Sequence, residues 1–309
     1  MSKTALIAAL AIVLLPAPAR AEPTGDQLEA AEERLEQVVE DYNEVREDLR
    51  DAREQAAALT RQLKPLERQL AARQAQVGVI ATTAYQTSRL APALAVINAD
   101  TAAEYTERML VLQRLAGQQQ EAIDGLLATR KRTVTAREEL DAVVAQRTAD
   151  ERSLAAKKRQ IERDVARLER VRTDTGYTAP PAVRGFKPAF SAGRAGAAVR
   201  FAYAQLGKAY RFGASGPRSY DCSGLTSAAW ARAGVPLPHN ARRQYHSVGH
   251  ISRADLRPGD LIFYYRSIHH VAIYAGGGKM IHAPRHGEPV RLDDVDYQPI
   301  HGYGRPSLS

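Results

Sequence analysis

Leu28, Leu35, Tyr42, Leu49, Ala56, Leu63 and Leu70 recur every seven residues, and Ala31, Val38, Val45, Ala52, Leu59 and Leu66 fill a second seam between them. Apolar side chains at that period line one stripe of an α-helix, so this stretch is committed to a long helix. The residues between the seams are mostly Glu, Arg, Asp and Gln, which reads as a solvated face. Helical throughout, the stretch reaches on the order of 65 Å at 1.5 Å per residue, with a kink expected at Pro65. From Val77 to Ala116 small apolar residues and Tyr dominate, with Pro92 and Asn98 as breakers, which predicts shorter helices. A second long helix follows, with Leu126, Leu140, Val144, Leu154, Ile161, Val165 and Leu168 on its stripe. Two long helices around a short helical tip predict an antiparallel hairpin. An intermolecular coiled-coil dimer is the competing arrangement.

What precedes and follows the helices is of different composition. Lys3, the apolar run Ala5 to Leu15, Pro16, Pro18 and Ala19-Arg20-Ala21 have the form of a secretory signal peptide cut after Ala21. Its apolar run is too short to span a bilayer, an uncleaved anchor is the alternative, and no later run is long enough to cross one. The expectation is an exported protein, in the cell wall or periplasmic space, with no transmembrane segment after cleavage. A net charge of +8 favours a polyanionic neighbour: nucleic acid, a membrane surface or an anionic cell wall. Export argues against nucleic acid. Beyond the helices, Gly176, Pro180, Pro181, Gly185, Pro188, Gly193 and Gly196 rule out a continuous helix. The expected division is a signal peptide over 1–21, a helical coiled-coil domain over 22–172, a Pro/Gly-rich linker over 173–195 and a domain over 196–309.

That last domain holds most of the Gly, the lone Trp and most of the His. Gly196 to Leu206 and Ser223 to Ala233 read as helices. Asp260 to Tyr265, His269 to Ala275 and Lys279 to Ala283 read as strands of an antiparallel meander. Helices first and strands later predict an α+β fold. Cys222, the only cysteine, sits in Tyr220-Asp221-Cys222-Ser223-Gly224-Leu225 at the start of the second helix. A thiolate there is favoured by the helix dipole and the unpaired N–H groups, which lower a Cys pKa to roughly 3.5 to 7.5 and can also hold an oxyanion. A buried structural cysteine is the bland alternative. A thiol nucleophile needs a base, and the base an orienting partner. Across the Gly276-Gly277-Gly278 turn, His270 and His282 fall on one sheet face with side chains in reach, and His269 on the other.

Tyr210-Arg211-Phe212-Gly213, Asp221-Cys222-Ser223-Gly224-Leu225, Leu256-Arg257-Pro258-Gly259-Asp260-Leu261, His270-Val271-Ala272-Ile273-Tyr274 and Ile281-His282-Ala283-Pro284 occur in that order. Over about residues 196 to 300 the chain resembles the NlpC family of papain-like cysteine peptidases, which cut peptidoglycan stem peptides. The resemblance implies Cys222 as nucleophile, His270 as general base and His282 as the residue that orients it. It implies Tyr210 near the oxyanion, and Asp221 and Ser223 in contact with substrate; Gln244 is a weaker correspondence. It implies no cofactor and no metal. The helices before this domain resemble the architecture of Rip-like secreted endopeptidases, and Ala84 to Arg108 with Leu110 and Leu112 resembles coiled coils that dock onto cell-division membrane complexes.

The expectation is therefore a secreted peptidoglycan endopeptidase that cuts a D-glutamyl–diamino acid bond through a Cys222 thioester. Four alternatives stay open. His246, His250, His269, His270, His282 and His286 are numerous enough for a zinc site, although no helical His-Glu pair spacing supports one. The chain is otherwise a division-associated scaffold with a weak catalytic domain, an enzyme whose rod packs over its own active site until a partner relieves it, or an acyl transferase using the same thioester.

Overall fold

The computed structural model describes residues 25–86, 96, 98–178, 183, 185–188 and 190–307. The signal-peptide expectation, the Pro92 breaker and the Pro180-Pro181 pair lie outside the described residues. The chain divides into two compact units. One comprises the chain up to Val39, Gln160–Val235 and Val248–Ser309; the other comprises Glu40–Arg159 and Pro236–Ser247.

Two helices supply most of the second unit: α1 (Gly25–Gln86) and α2 (Ala102–Thr175). Their pairing is antiparallel, since Lys157 Nζ sits 3.3 Å from Asp41, Arg53 3.5 Å from Glu151 and Arg137 Nη2 2.6 Å from Glu67. Leu49, Ala52 and Leu59 of the predicted stripe are buried within this unit. Two expectations need correcting. Helix α1 runs on to Gln86 and α2 starts at Ala102, so both extend into the stretch read as shorter helices. The run of α1 includes Pro65, where one backbone hydrogen bond is forgone. Val144 of the second stripe is 44% exposed, because α2 meets α1 along a narrower line than the sequence suggested.

The polar face of α1 is not uniformly solvated either. Glu40, Asn43 and Glu47 are buried. Glu40 accepts the backbone N–H of Ala241 at 2.6 Å, and its carbonyl accepts Asn240 Nδ2 at 2.8 Å, at the start of α5 (Ala241–Ser247). Arg242 reaches Glu44 at 2.6 Å, and Arg243 reaches Asp48 and Asp51. A heptad seam identifies the apolar contacts of a helix and is silent about such a polar one.

The first unit is α+β, as the sequence predicts. After α3 (Gly193–Tyr203) come two short parallel strands, β1 (Ala209–Tyr210) and β2 (Ser219–Tyr220), then α4 (Cys222–Arg232). Six strands follow: β3 (Gly249–Ile251), β4 (Leu261–Tyr264), β5 (His270–Gly276), β6 (Lys279–His282), β7 (Arg291–Asp294) and β8 (Ile300–Arg305). They form one antiparallel sheet in the order β3-β8-β4-β5-β6-β7, so β4 to β7 make the expected meander and β8 returns to its other side. The β4 run Leu-Ile-Phe-Tyr is buried at every position, as a continuous apolar strand requires. Helix α4 lies on β5 and against α3, with Leu225, Ala229 and Trp230 inside and Trp230 Nε1 donating to the Gly259 carbonyl at 3.2 Å. The β5–β6 turn needs its glycines: Gly276, Gly277 and Gly278 have φ of 92°, 60° and 71°, the left-handed region that side chains disfavour.

Candidate active site

Cys222 occupies the first position of α4 because Asp221 caps that helix. Asp221 has extended backbone, and its carboxylate accepts the N–H of Gly224 at 2.6 Å and that of Gly213 at 2.8 Å. Such a cap is worth about 1 kcal/mol. It also fixes where the positive end of the helix dipole falls, which is on Cys222. The thiol is 2% exposed, and Sγ lies 4.0 Å from the carbonyl oxygen of His269. Helix packing on β5 thus brings Cys222 to the strand that carries His270.

His270 opens β5 opposite Tyr264, and His282 closes β6 opposite Arg291. Their rings meet edge to face, with His270 Nε2 2.9 Å from His282 Nδ1. His282 Nε2 lies 2.8 Å from Asp293 Oδ2, and the same carboxylate oxygen accepts Arg291 Nε at 2.6 Å. These contacts fix the protons. An ionised Asp293 requires a donor at His282 Nε2, which leaves His282 Nδ1 an acceptor. His270 must then donate from Nε2, and its Nδ1 is left with the basic lone pair. Burial pushes both imidazoles down, His270 well below its ordinary range, with His282, His269 and Arg285 adding to the effect there; for His282 the Asp293 carboxylate pulls the other way. Burial raises Asp293, but hydrogen bonds from His282 and Arg291 carry it below the usual carboxylate range. Asp293 was missed in the sequence: Arg291-Leu292-Asp293-Asp294 shows no apolar alternation, and its one signal is an acid on the strand after His282.

The loop before His270 is conformationally unusual. Tyr265 and Ile268 have φ of 61° and 54°, and for a β-branched residue such as Ile268 this costs on the order of 1–3 kcal/mol. Tyr265 stacks on His269 at 4.2 Å, and Ser267 Oγ lies 2.6 Å from His269 Nδ1. His269 therefore points away from His270, as strand alternation requires.

The first turns of α1 belong to the same unit and lie over these histidines. Glu36 Oε2 is 3.6 Å from His270 Nδ1, and Glu33 Oε1 is 4.0 Å from His269 Nε2. Glu36 Oε2 and His270 Nδ1 are buried and have no hydrogen-bond partner among the described residues. Burial drives the Glu36 carboxyl well above its ordinary range; Arg285 opposes this, and Glu32, Glu288 and Glu33 reinforce it. Glu32, 4% exposed, is held between two guanidinium groups: Arg172 Nη2 at 2.6 Å and Arg285 Nη1 in direct contact.

The remaining candidates are placed as follows. Tyr210 is buried on β1, opposite Tyr220, with its N–H donating to the Glu288 carbonyl at 3.2 Å. Ser223 is buried on the first turn of α4, and its carbonyl accepts Thr226 Oγ1 at 2.9 Å. Asp221 directs its carboxylate to backbone amides, as above. Gln244 belongs to the other unit, where Nε2 donates to the Pro238 carbonyl at 2.8 Å. Among the described residues no group of three or more His, Cys, Asp or Glu is arranged to hold a metal ion, and no helix is long and apolar enough to cross a membrane.

Comparison with known proteins points to the same segment. The profile of the NlpC/P60 family matches residues 207–302. A probable endopeptidase p60 from Listeria welshimeri is 46% identical over 101 residues, which is 32% of this chain and 18% of that protein. A probable endopeptidase from Corynebacterium glutamicum is 37% identical over 123 residues, 40% of this chain and 57% of that one. This chain thus spans between about a fifth and three fifths of those relatives. Among solved structures, the NlpC/p60 domain of the peptidoglycan hydrolase SagA is 32% identical, covering 36% of this chain and 97% of that one, with a TM-score of 0.34. The cysteine at a capped helix start and the paired strand histidines fall inside the matched segment, and residues 207–302 of this chain are an NlpC/P60 domain.

Proposed function

We propose that the chain is a secreted peptidoglycan endopeptidase, hydrolysing the D-glutamyl–diamino acid amide of stem peptides by thioester chemistry at Cys222. The observation that carries this reading is the directed chain Asp293–His282–His270, which leaves His270 Nδ1 as the basic atom beside the strand where the thiol sits. The Cys222 thiol gives its proton to His270 Nδ1, and sulfur attacks the amide carbonyl. The negative oxygen is steadied at the N-terminus of α4, by the Cys222 N–H with Tyr210. The His270 imidazolium returns its proton to the leaving amine as the C–N bond breaks. Water, deprotonated by the same nitrogen, then cleaves the thioester and restores the thiol. Asp221 positions Cys222 through the cap, and Ser223 shares the buried first turn.

A regulated form of this reading is favoured by a second observation. Glu36 occupies the space next to His270 Nδ1, so the site is covered at rest and opens when the first turns of α1 leave it. The cell-division membrane complex is the partner proposed to open it, and the apolar side chains exposed on α2, Leu110 at 50% and Val111 at 57%, suit such contact.

The test is mass spectrometry of purified peptidoglycan digested by the full chain and by a Glu32→Gln/Glu36→Gln variant, each with a Cys222→Ala control. Stem peptides ending at D-glutamate, more abundant with the variant and missing from the controls, are expected. Absence of that product from both active-site-intact chains overturns the reading.

A further inference from the structure

A cavity of about 110 Å³ opens beside the covered catalytic histidine, with Glu36, Tyr265, Arg285, Tyr297 and Gln298 among its lining side chains. Among the described residues that line it, the one cation is Arg285. The guanidinium is anchored from below: Nε lies 3.2 Å from Glu288 Oε1, and Nη2 donates to the Tyr297 hydroxyl at 2.7 Å. Its Nη1 faces α1 and carries Glu32. Four carboxylates of α1, those of Glu29, Glu32, Glu33 and Glu36, crowd this one region, and the two innermost are almost fully buried.

Cys222 is 2% exposed, and in this state the first turns of α1 lie against His270. Their departure removes Glu32 from Arg285 and leaves a fixed guanidinium fork turned into the cleft next to His270. The amide oxygen of Gln298 is buried on the same wall and has no hydrogen-bond partner among the described residues, so an acceptor for a peptide N–H stands beside the cation. A planar fork held from one side is suited to a carboxylate, which it takes with two charge-assisted hydrogen bonds.

Resting on the endopeptidase reading, we infer that Arg285 forms a carboxylate subsite that selects stem peptides with a free carboxylate next to the scissile amide, and that Glu32 fills it at rest as an internal stand-in. In a stem joined through the side chain of D-glutamate, that group is the residue's own α-carboxylate. The subsite therefore discriminates against stems in which the same carboxylate has been converted to an amide. No covalent step is involved, only the exchange of one carboxylate for another on the same cation.

The experiment uses the full chain with Glu32→Gln and Glu36→Gln and two synthetic stem peptides, one with the free carboxylate and one with the amide. The free form is expected to have the lower KM by about 10- to 100-fold, the range of a charged hydrogen bond. Arg285→Ala is expected to bring the ratio of the two KM values to about one, and Arg285→Lys to restore part of it; a purely structural arginine would shift both peptides alike. A parent ratio near one, or a ratio unchanged by Arg285→Ala, overturns the inference. Calorimetric binding of both peptides to the Cys222→Ala form of the same chain separates the two readings. Selective binding without turnover keeps the subsite and sinks the endopeptidase; turnover without selectivity does the reverse. Failure to bind either peptide overturns the subsite.

Discussion

The charged residues of α1 fall into two populations that the sequence presents as one. Glu67 pairs with Arg137 where both side chains are largely exposed, at 40% and 61%, and such pairs contribute about 0–1 kcal/mol. Glu32 and Glu36 come from the same helix and the same polar positions between apolar seams, yet they are buried against Arg172, Arg285 and His270. Breaking a buried pair leaves an uncompensated charge and costs about 3–5 kcal/mol. Residue type is identical in the two places, and Glu32 and Glu67 also share a heptad position; what differs is whether water is present. Glu32 and Glu36, near the start of α1, thus belong to the surroundings of His270, while Glu67 is ordinary surface.

Each prediction widens or closes that gap. The largest effect belongs to the proton chain the buried acids cover: in the Glu32→Gln/Glu36→Gln background, His270→Ala is expected to lower kcat by roughly 100- to 10,000-fold. Asp293→Asn is expected to lower it by less than loss of His270 itself, as steady-state kinetics would read. Next comes the buried acid: Glu32→Ala is expected to destabilise the resting form by about 3–5 kcal/mol in urea unfolding. Glu67→Ala, the exposed counterpart, is expected to stay within about 1 kcal/mol of the parent. Equal losses from the two would erase the distinction.

The pH dependence of covering follows from the two groups that face each other. Glu36 is raised in the covered state, so covering is intact while it holds its proton and is lost as pH climbs through the raised value. His270 is depressed, so protonation as pH falls below the ordinary imidazole range favours the uncovered state. His269, His282, Arg285, Glu32, Glu33 and Glu288 complete the charged surroundings. Covering is therefore favoured by a protonated Glu36 and a neutral His270. The rate of Cys222 alkylation by iodoacetamide, taken as the ratio of Glu36→Gln to parent, is expected to fall as the parent uncovers at alkaline pH. A ratio flat with pH would remove Glu36 from the device. The smallest expected effect is on salt: the exposed Arg137–Glu67 pair weakens with ionic strength, whereas the buried Glu32 cluster changes little.

Much of the first unit was legible. The alternation and apolar runs of β4, β5 and β6 located the strands to within a residue or two, and Cys222 stood out because it opens a helix among polar residues. The pairing of His270 with His282 followed from the glycine turn between their strands. Asp293 was not legible, because its role depends on a diagonal contact across β6 and β7 that no local pattern announces. The buried face of α1 was not legible either. Glu32, Glu36 and Glu40 sit where a heptad reading puts solvent, and their partners, Arg285, His270 and Asn240, lie about two hundred residues or more away in sequence. Periodicity reports which face is apolar; it does not report what meets the other face.

The segment over His270 is covalently attached to the chain it covers, and that has a kinetic meaning. A tethered ligand acts at an effective concentration set by its connection, whatever the amount of protein present. Residues 28–39 as a free peptide would lose that advantage, and at about a dozen residues would also be barely helical in water. Dilution cannot uncover the thiol, and cleavage of the chain behind Val39 would turn a first-order equilibrium into a second-order one. The resting level of this protein is thereby set by geometry within one molecule and not by its concentration.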